Sequence, residues 1–306
     1  MADAAINLPP ASASLINLAI VEIVIYVLLL PPLLYITWKH GKNGMTCWSL
    51  LVSFYGMRFA SDIWQIMDRN KPNVPGALLI ITNAGSIACL TLGLIGILYE
   101  INIILPYPKR WTDKIIMATT NLVNTAGIAM ATYGGAPSAT APGGVMNQLI
   151  DRLGNILMLL ALFALYAWIW PTWNRVWSIR DDPSFKPALY MIVAAAAALP
   201  FQLIRIIYNT VYSFELVDRA LDPIMGIFAT RFIFLFVTQL GCLVILLGGG
   251  YLGICPKESL SVDDSTVEQG IELTTTGENT SDQSPDWGSM GRMNAKKNEA
   301  VGTRFR

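Results

Sequence analysis

The sequence is short of charge. Only 14% of its 306 residues are Asp, Glu, Lys or Arg, where a soluble domain carries about 25%. More than half, 54%, are hydrophobic, the make-up of a chain that lives in a bilayer. Its 21 basic and 21 acidic residues cancel, so no basic excess exists to attract nucleic acid. One His and four Cys (Cys47, Cys89, Cys242 and Cys255), with no CxxC pair, leave no zinc-type ligand set. No metal and no cofactor is expected. A DDxxD motif is also missing, which leaves metal-assisted diphosphate ionisation without its residues. The opening MADAAINLPPASAS holds Asp3 but neither Lys nor Arg. A cleaved leader needs a basic start and a shorter apolar run than the one that follows. The first run therefore reads as an uncleaved span.

Long apolar runs are what the sequence does have. Seven are long enough for a membrane helix of about 20 residues, at roughly 14–38, 45–67, 75–99, 115–133, 153–177, 187–214 and 223–254. The fold class expected is an all-α integral membrane protein, a bundle of seven transmembrane helices over residues 1–254. Lys and Arg set its orientation. Lys39 and Lys42, then Lys109, Arg110 and Lys114, then Arg175, Arg180 and Lys186 fall in the odd loops. The even loops hold fewer. The N-terminus is thus expected outside or lumenal and the C-terminus in the cytosol, of an endoplasmic reticulum or plasma membrane protein. Trp38, Trp48, Trp111, Trp173 and Trp177 lie near the cytoplasmic interface and read as an aromatic belt. Cys47 and Cys255 fall at cytoplasmic helix ends and read as buried or interfacial thiols.

Residues 255–306 change character. They are polar, rich in Ser and Thr and nearly free of aromatics. Such a segment buries too little apolar surface to offset its ordering entropy, so a disordered cytosolic tail is expected. The sequon at Asn279 would then stay unmodified.

Five ionisable residues fall inside the spans: Glu22, Arg58, Asp62, Arg205 and Arg231. Each costs about 2.5 to 3.5 kcal/mol at the bilayer centre, so all should face the bundle interior. Counting 1.5 Å per residue puts the five in one band in the outer half, drawn from four helices. Helical phase adds neighbours. Tyr55, Arg58, Asp62 and Gln65 share one face of the second span, and Gln202, Arg205, Tyr208, Asn209 and Tyr212 share one of the sixth. Tyr26 lies one turn from Glu22, and Asn83 is at similar depth. Three Arg against two carboxylates leave about one excess positive charge, which asks for an anionic ligand. Arg58 reads as an anchor for it, Asp62 as the partner of Arg58, and Glu22, with no basic neighbour in sequence, as the free acid.

The stretches WSLLVSFYGMRFASDIW and LPFQLIRIIYNTVYSF resemble a fungal family of seven-helix membrane proteins catalogued as a domain of unknown function, over about residues 14–254. The layout is also similar to the fungal lipid-translocating family linked to azole and sterol-analogue resistance, and to the integral-membrane terpene cyclases of meroterpenoid pathways. The last resemblance implies an enzyme that cyclises a prenylated substrate after protonation. That chemistry needs an acid, a dry site and aromatic faces for cations. The expected assignment makes Glu22 and Asp62 the catalytic acids. Arg58, Arg205, Arg231, Asn209, Tyr26, Tyr55, Tyr208 and Tyr212 would bind a lipophilic small molecule. The alternatives are a transporter of lipid or a small molecule, with membrane lipid as partner, and a seven-helix receptor. The receptor lacks a DRY-like motif after the third span and an NPxxY in the seventh.

Overall fold

The computed structural model describes residues 12–70, 77–106, 111–136, 145–215, 222 and 226–254. The chain divides into two units, Met1–Cys255 and Pro256–Arg306; the second, with the expected disordered tail and Asn279, lies outside the described residues. So does Cys255.

The first helix, α1, runs Ala13–Met67 and is interrupted at one residue, Gly41, with φ 60° and ψ −148°. Only glycine takes up such a conformation without strain, and here it turns the chain back on itself. Side-chain pairs show the reversal. Glu22 meets Arg58, Tyr26 meets Phe54 at 5.7 Å, and His40 meets Trp48 at 4.9 Å. Partner numbers fall as residue numbers rise, so the arm Ala13–Gly41 and the arm 42–67 form an antiparallel hairpin. The helices that follow are α2 (Ala77–Ile104), α3 (Trp111–Gly134), α4 (Gln148–Trp177), α5 (Phe185–Phe214) and α6 (Phe228–Leu252). Among the described residues there is no strand.

Among the described residues, six helices are long and apolar enough to cross a membrane: Ala13–Gly41, Leu78–Ile104, α3, α4, α5 and α6. They support a multi-pass membrane protein. The expected second span is helical too, but it is not one of the six. Arg58, Asp62, Gln65 and its small polar residues lower its apolarity below theirs. Pro31, Pro32, Pro171 and Pro200 lie inside helices, where neighbouring helices in a bundle offset the lost backbone bonds.

Helix α2 is central and packs against α1, α3 and α5, while α5 packs closely on α6 and α3 on α4. The α3–α4 contact runs over Gly127, Gly134 and Gly154, where added side chains would strike the facing backbone. Small residues let membrane helices approach in this way. The core joins Leu51, Phe54, Ile87, Leu90, Leu94 and Leu98 to Leu165, Ala195, Ala198, Leu243 and Leu246. A large apolar set stays on the outside, including Leu28, Leu122, Leu149, Trp170 and Leu252. This is the arrangement of a chain whose surroundings are lipid.

Candidate functional site

The hairpin at Gly41 sets the first part of the site. It lays the Glu22 face of one arm against the Arg58 face of the other. Arg58 donates from one Nη to Glu22 Oε2, and the same nitrogen donates to Asp62 Oδ1 at 3.2 Å, one turn along. All three residues are buried, Asp62 completely. Both carboxylates therefore share one guanidinium, and the expectation that Glu22 is a free acid is corrected. Helical phase places a residue on a face but does not say which helix that face meets. Each carboxylate keeps one oxygen, Glu22 Oε1 and Asp62 Oδ2, without a hydrogen-bond partner.

The second part comes from α6. Its first turns include a π-helical stretch, Arg231–Val237, a widened turn often found at functional sites. Arg231 starts it and donates to Gln65 Oε1 at 3.0 Å. Asp62 interacts electrostatically with both Arg58 and Arg231. Arg231 also faces Asp222, to which Tyr212 hydrogen-bonds. Asp222 was not counted among the site residues from sequence, because it falls in the loop before the last apolar run. With it the charges become three Arg against three carboxylates, so the expected net positive excess is corrected to a balance.

The third part is on α5. Arg205 is fully buried. It donates to Asn209 Oδ1 and to Asn83 Oδ1, each at 2.6 Å, and lies 5.5 Å from the Tyr208 ring centre. Tyr208 stacks on Phe234 of the π-helical stretch at 5.1 Å. Among the described residues no carboxylate pairs with Arg205. Arg58 and Arg231 both add repulsion to it. Balance over the whole cluster thus hides a local imbalance: one guanidinium is held only by neutral groups.

Aromatic rings line the hairpin side. Tyr26 and Tyr55 meet edge to face at 5.5 Å, and both hydroxyls are buried without a partner. Tyr26 interacts with Asp62. The predicted residues thus form two linked groups. One holds Glu22, Arg58, Asp62, Tyr26 and Tyr55; the other holds Arg205, Asn209, Tyr208 and, through Asp222, Tyr212. Arg231 faces both. Gln202, on the same face of α5, instead ties to α2 through Thr91 Oγ1 at 2.8 Å and the Ile87 carbonyl at 3.1 Å.

A second polar cluster at the Gly41 end escaped the sequence reading. Glu100 of α2 is buried. Its Oε1 lies 2.6 Å from His40 Nδ1, and its Oε2 accepts from Trp48 Nε1 at 3.1 Å and from the Cys47 thiol at 3.8 Å. Trp48 is buried, which corrects its place in the interfacial belt; Trp38 and Trp111 are exposed. The signal was present. The single His and an acidic residue stand at the same predicted side of two spans, each one or two positions beyond its apolar run. Among the described residues no group of His, Cys, Asp and Glu is arranged to hold a metal ion.

A family model described as a domain of unknown function, DUF7702, matches residues 15–254. No curated protein and no solved structure matches the chain.

Proposed function

The chain belongs to the DUF7702 family, whose description assigns no activity, and we propose that it recognises the anionic head of an amphipathic molecule within the membrane. Arg205 carries this reading. It is a fully buried cation whose hydrogen-bond acceptors are two neutral amides and whose Nε has none. A buried charge without a counter-charge is costly, and an ionisable group inside a membrane is functional by default. A phosphate or carboxylate head supplies the missing charge, and the planar guanidinium fork fits either with two parallel bonds. Arg231, with Nη1 and Nε unpartnered, is the second donor. The resemblance to lipid-translocating proteins, and membrane lipid as partner, belong with this reading. So does the complete topology: the arm 42–67 is the second of seven spans, the N-terminus is outside or lumenal and the C-terminus is cytosolic.

The test uses the full chain in lipid nanodiscs, titrated with fluorescent phosphatidic acid and with its uncharged diacylglycerol counterpart. Only the phosphatidic acid should bind. Arg205→Gln should weaken binding about tenfold, the weight of one charge-assisted hydrogen bond, and Arg205→Lys should restore part of it. Equal binding of both probes, or unchanged binding in a folded Arg205→Gln protein, rejects the reading.

A second reading, cyclisation of a prenylated substrate started by protonation, is favoured by one observation. The free oxygens of Glu22 and Asp62 share the hairpin side with the rings of Tyr26, Phe54 and Tyr55. Proton transfer by a carboxylic acid and stabilisation of cations by aromatic faces are what this chemistry requires. Expression with prenylated phenolic epoxides should then yield cyclised product. Persistence of that product in Glu22→Gln and Asp62→Asn together would remove both carboxylates from the acid role.

A further inference from the structure

The Glu100 cluster is separate from the anion site. His40 lies 18 residues beyond Glu22 on the same arm, about 27 Å along the helix axis at 1.5 Å per residue. Its bonding fixes more than position. His40 Nε2 lies 2.9 Å from the Gly250 carbonyl oxygen of α6. A carbonyl only accepts, so Nε2 carries a hydrogen. His40 Nδ1 lies 2.6 Å from Glu100 Oε1. A bare ring nitrogen and a carboxylate oxygen are both acceptors, and they hold this distance only with a proton between them. Two arrangements supply it: imidazolium facing carboxylate, or imidazole facing carboxylic acid. Both contain the same single shared proton. Without it, a lone pair would press on an anion in a buried site, where repulsion is poorly screened.

The surroundings offer no substitute. On the histidine's own arm, the Lys39 ammonium lies over the rings of Tyr35 and Trp38, at 5.7 and 5.3 Å. From the second arm come Cys47 and Trp48, both bonded to Glu100 Oε2 rather than to His40. From α6 come the Gly250 carbonyl and, further out, Tyr251 against Tyr35. Glu100 is the one charged group facing His40 among the described residues. The packing is close enough for a small separation to matter. A side chain at Gly250 would strike the Trp48 indole, and one at Gly44 would come within 2.7 Å of Glu100 Oε1. Gly41, the single turn residue between the arms, is next to His40.

We infer that His40 and Glu100 form a one-proton latch that ties the Gly41 hairpin to the inner ends of α2 and α6, closed while the shared proton is present and released when it leaves to water. The latch makes the relation of α1 to α2 and α6 depend on pH, with release as pH rises.

The chain has one histidine, so ¹⁵N-histidine labelling gives one imidazole to observe. The experiment follows that signal across pH in nanodiscs, with amide hydrogen exchange over residues 41–48 corrected for intrinsic base catalysis. At the closed end, Nε2 should be protonated and Nδ1 should show a proton shared with a strong hydrogen-bond partner. As that signal converts to a bare Nδ1, exchange at residues 41–48 should rise about tenfold or more, as for a local opening. Glu100→Gln sharpens the test. Its amide donates to a neutral Nδ1 and its oxygen still accepts from Trp48, so the link no longer needs the extra proton. Exchange in this variant should stay slow across the same pH range. A bare Nδ1 at every pH overturns the latch. So does loss of the shared proton without faster exchange, or a Glu100→Gln protein that keeps the wild-type pH dependence. Should that variant fail to fold, the wild-type spectra and exchange decide alone.

Discussion

The two buried polar clusters are each built around buried carboxylates and end in opposite states. At the Gly41 end, both nitrogens of His40, both oxygens of Glu100 and the Trp48 indole N–H have partners. At the other end, Glu22 Oε1, Asp62 Oδ2, the Nε atoms of Arg58, Arg205 and Arg231, and the Tyr26 and Tyr55 hydroxyls have none. Buried polar groups are nearly always paired, and an unpaired one inside a membrane has no water-filled bulk to fall back on. The satisfied cluster holds helices together, and its one adjustable part is a proton. The unsatisfied cluster has bonding capacity left for something that is not part of the chain.

Cutting each cluster at its centre gives the largest contrast. Arg58→Met leaves two buried carboxylates without their shared guanidinium, and breaking a buried pair from one side costs about 3–5 kcal/mol. The loss should appear as a lower midpoint of unfolding in a denaturing detergent. Adding Glu22→Gln and Asp62→Asn to Arg58→Met should recover most of it, since neither orphaned carboxylate is then left charged. If the triple variant is no more stable than Arg58→Met alone, the ion triad is not what the substitution broke. Gly41→Ala acts at the other cluster. A residue with a side chain at φ 60° and ψ −148°, a region taken up essentially by glycine alone, costs about 1–3 kcal/mol, and the added methyl meets no other atom within 4 Å. The cost is thus conformational alone. It should be felt as faster amide exchange around His40 and Trp48, with Arg205-dependent binding untouched.

How much of this was legible in the sequence follows from what each signal depends on. Helix ends depend on local composition, so the expected 187–214 and 153–177 lie close to Phe185–Phe214 and Gln148–Trp177. The five charges within the apolar runs stood out because so little else in those runs is charged, and the bundle does bury all of them. Pairing was another matter. Whether Arg58 meets Glu22 depends on a one-residue turn at Gly41 that sets the register of two arms, and no periodicity encodes that. Glu100 and His40 were passed over because charge near the end of an apolar run reads as the start of a loop. In the structure α2 continues to Ile104, which carries Glu100 inward. Asp222 was missed for the same reason, at the edge of the last run.

Arg205 sharpens the comparison from the other side. If the unsatisfied cluster is built for a ligand, its central cation is a burden in the free protein. Replacing a buried charge by a neutral group that keeps one hydrogen bond is often neutral or stabilising. Arg205→Gln should therefore change unfolding stability by no more than about 1 kcal/mol in either direction, while its binding of an anionic amphiphile falls. A loss of several kcal/mol in the ligand-free protein would instead make Arg205 a structural residue like Arg58.

The smallest effect is expected at a carboxylate that belongs to neither cluster. Asp182 lies in the turn between α4 and α5, outside the helices. The Ser184 hydroxyl and backbone N–H both donate to its Oδ1, at 2.5 and 2.8 Å, and these bonds hold its carboxyl below the usual carboxylate value. A carboxyl lowered in the folded state stabilises that state above its unfolded value, and the contribution fades as pH falls through the folded one. The turn should thus keep its form through the range in which an ordinary surface aspartate protonates, and loosen only at still lower pH. A carboxyl-carbon NMR titration should show Asp182 as one of the late-protonating aspartates, and Ser184→Ala should move it back toward the ordinary value. Solvent screens this site, so neither substitution nor acid at this turn should alter anion binding or exchange at residues 41–48. An effect on either would mean that the α4–α5 turn is coupled to one of the buried clusters.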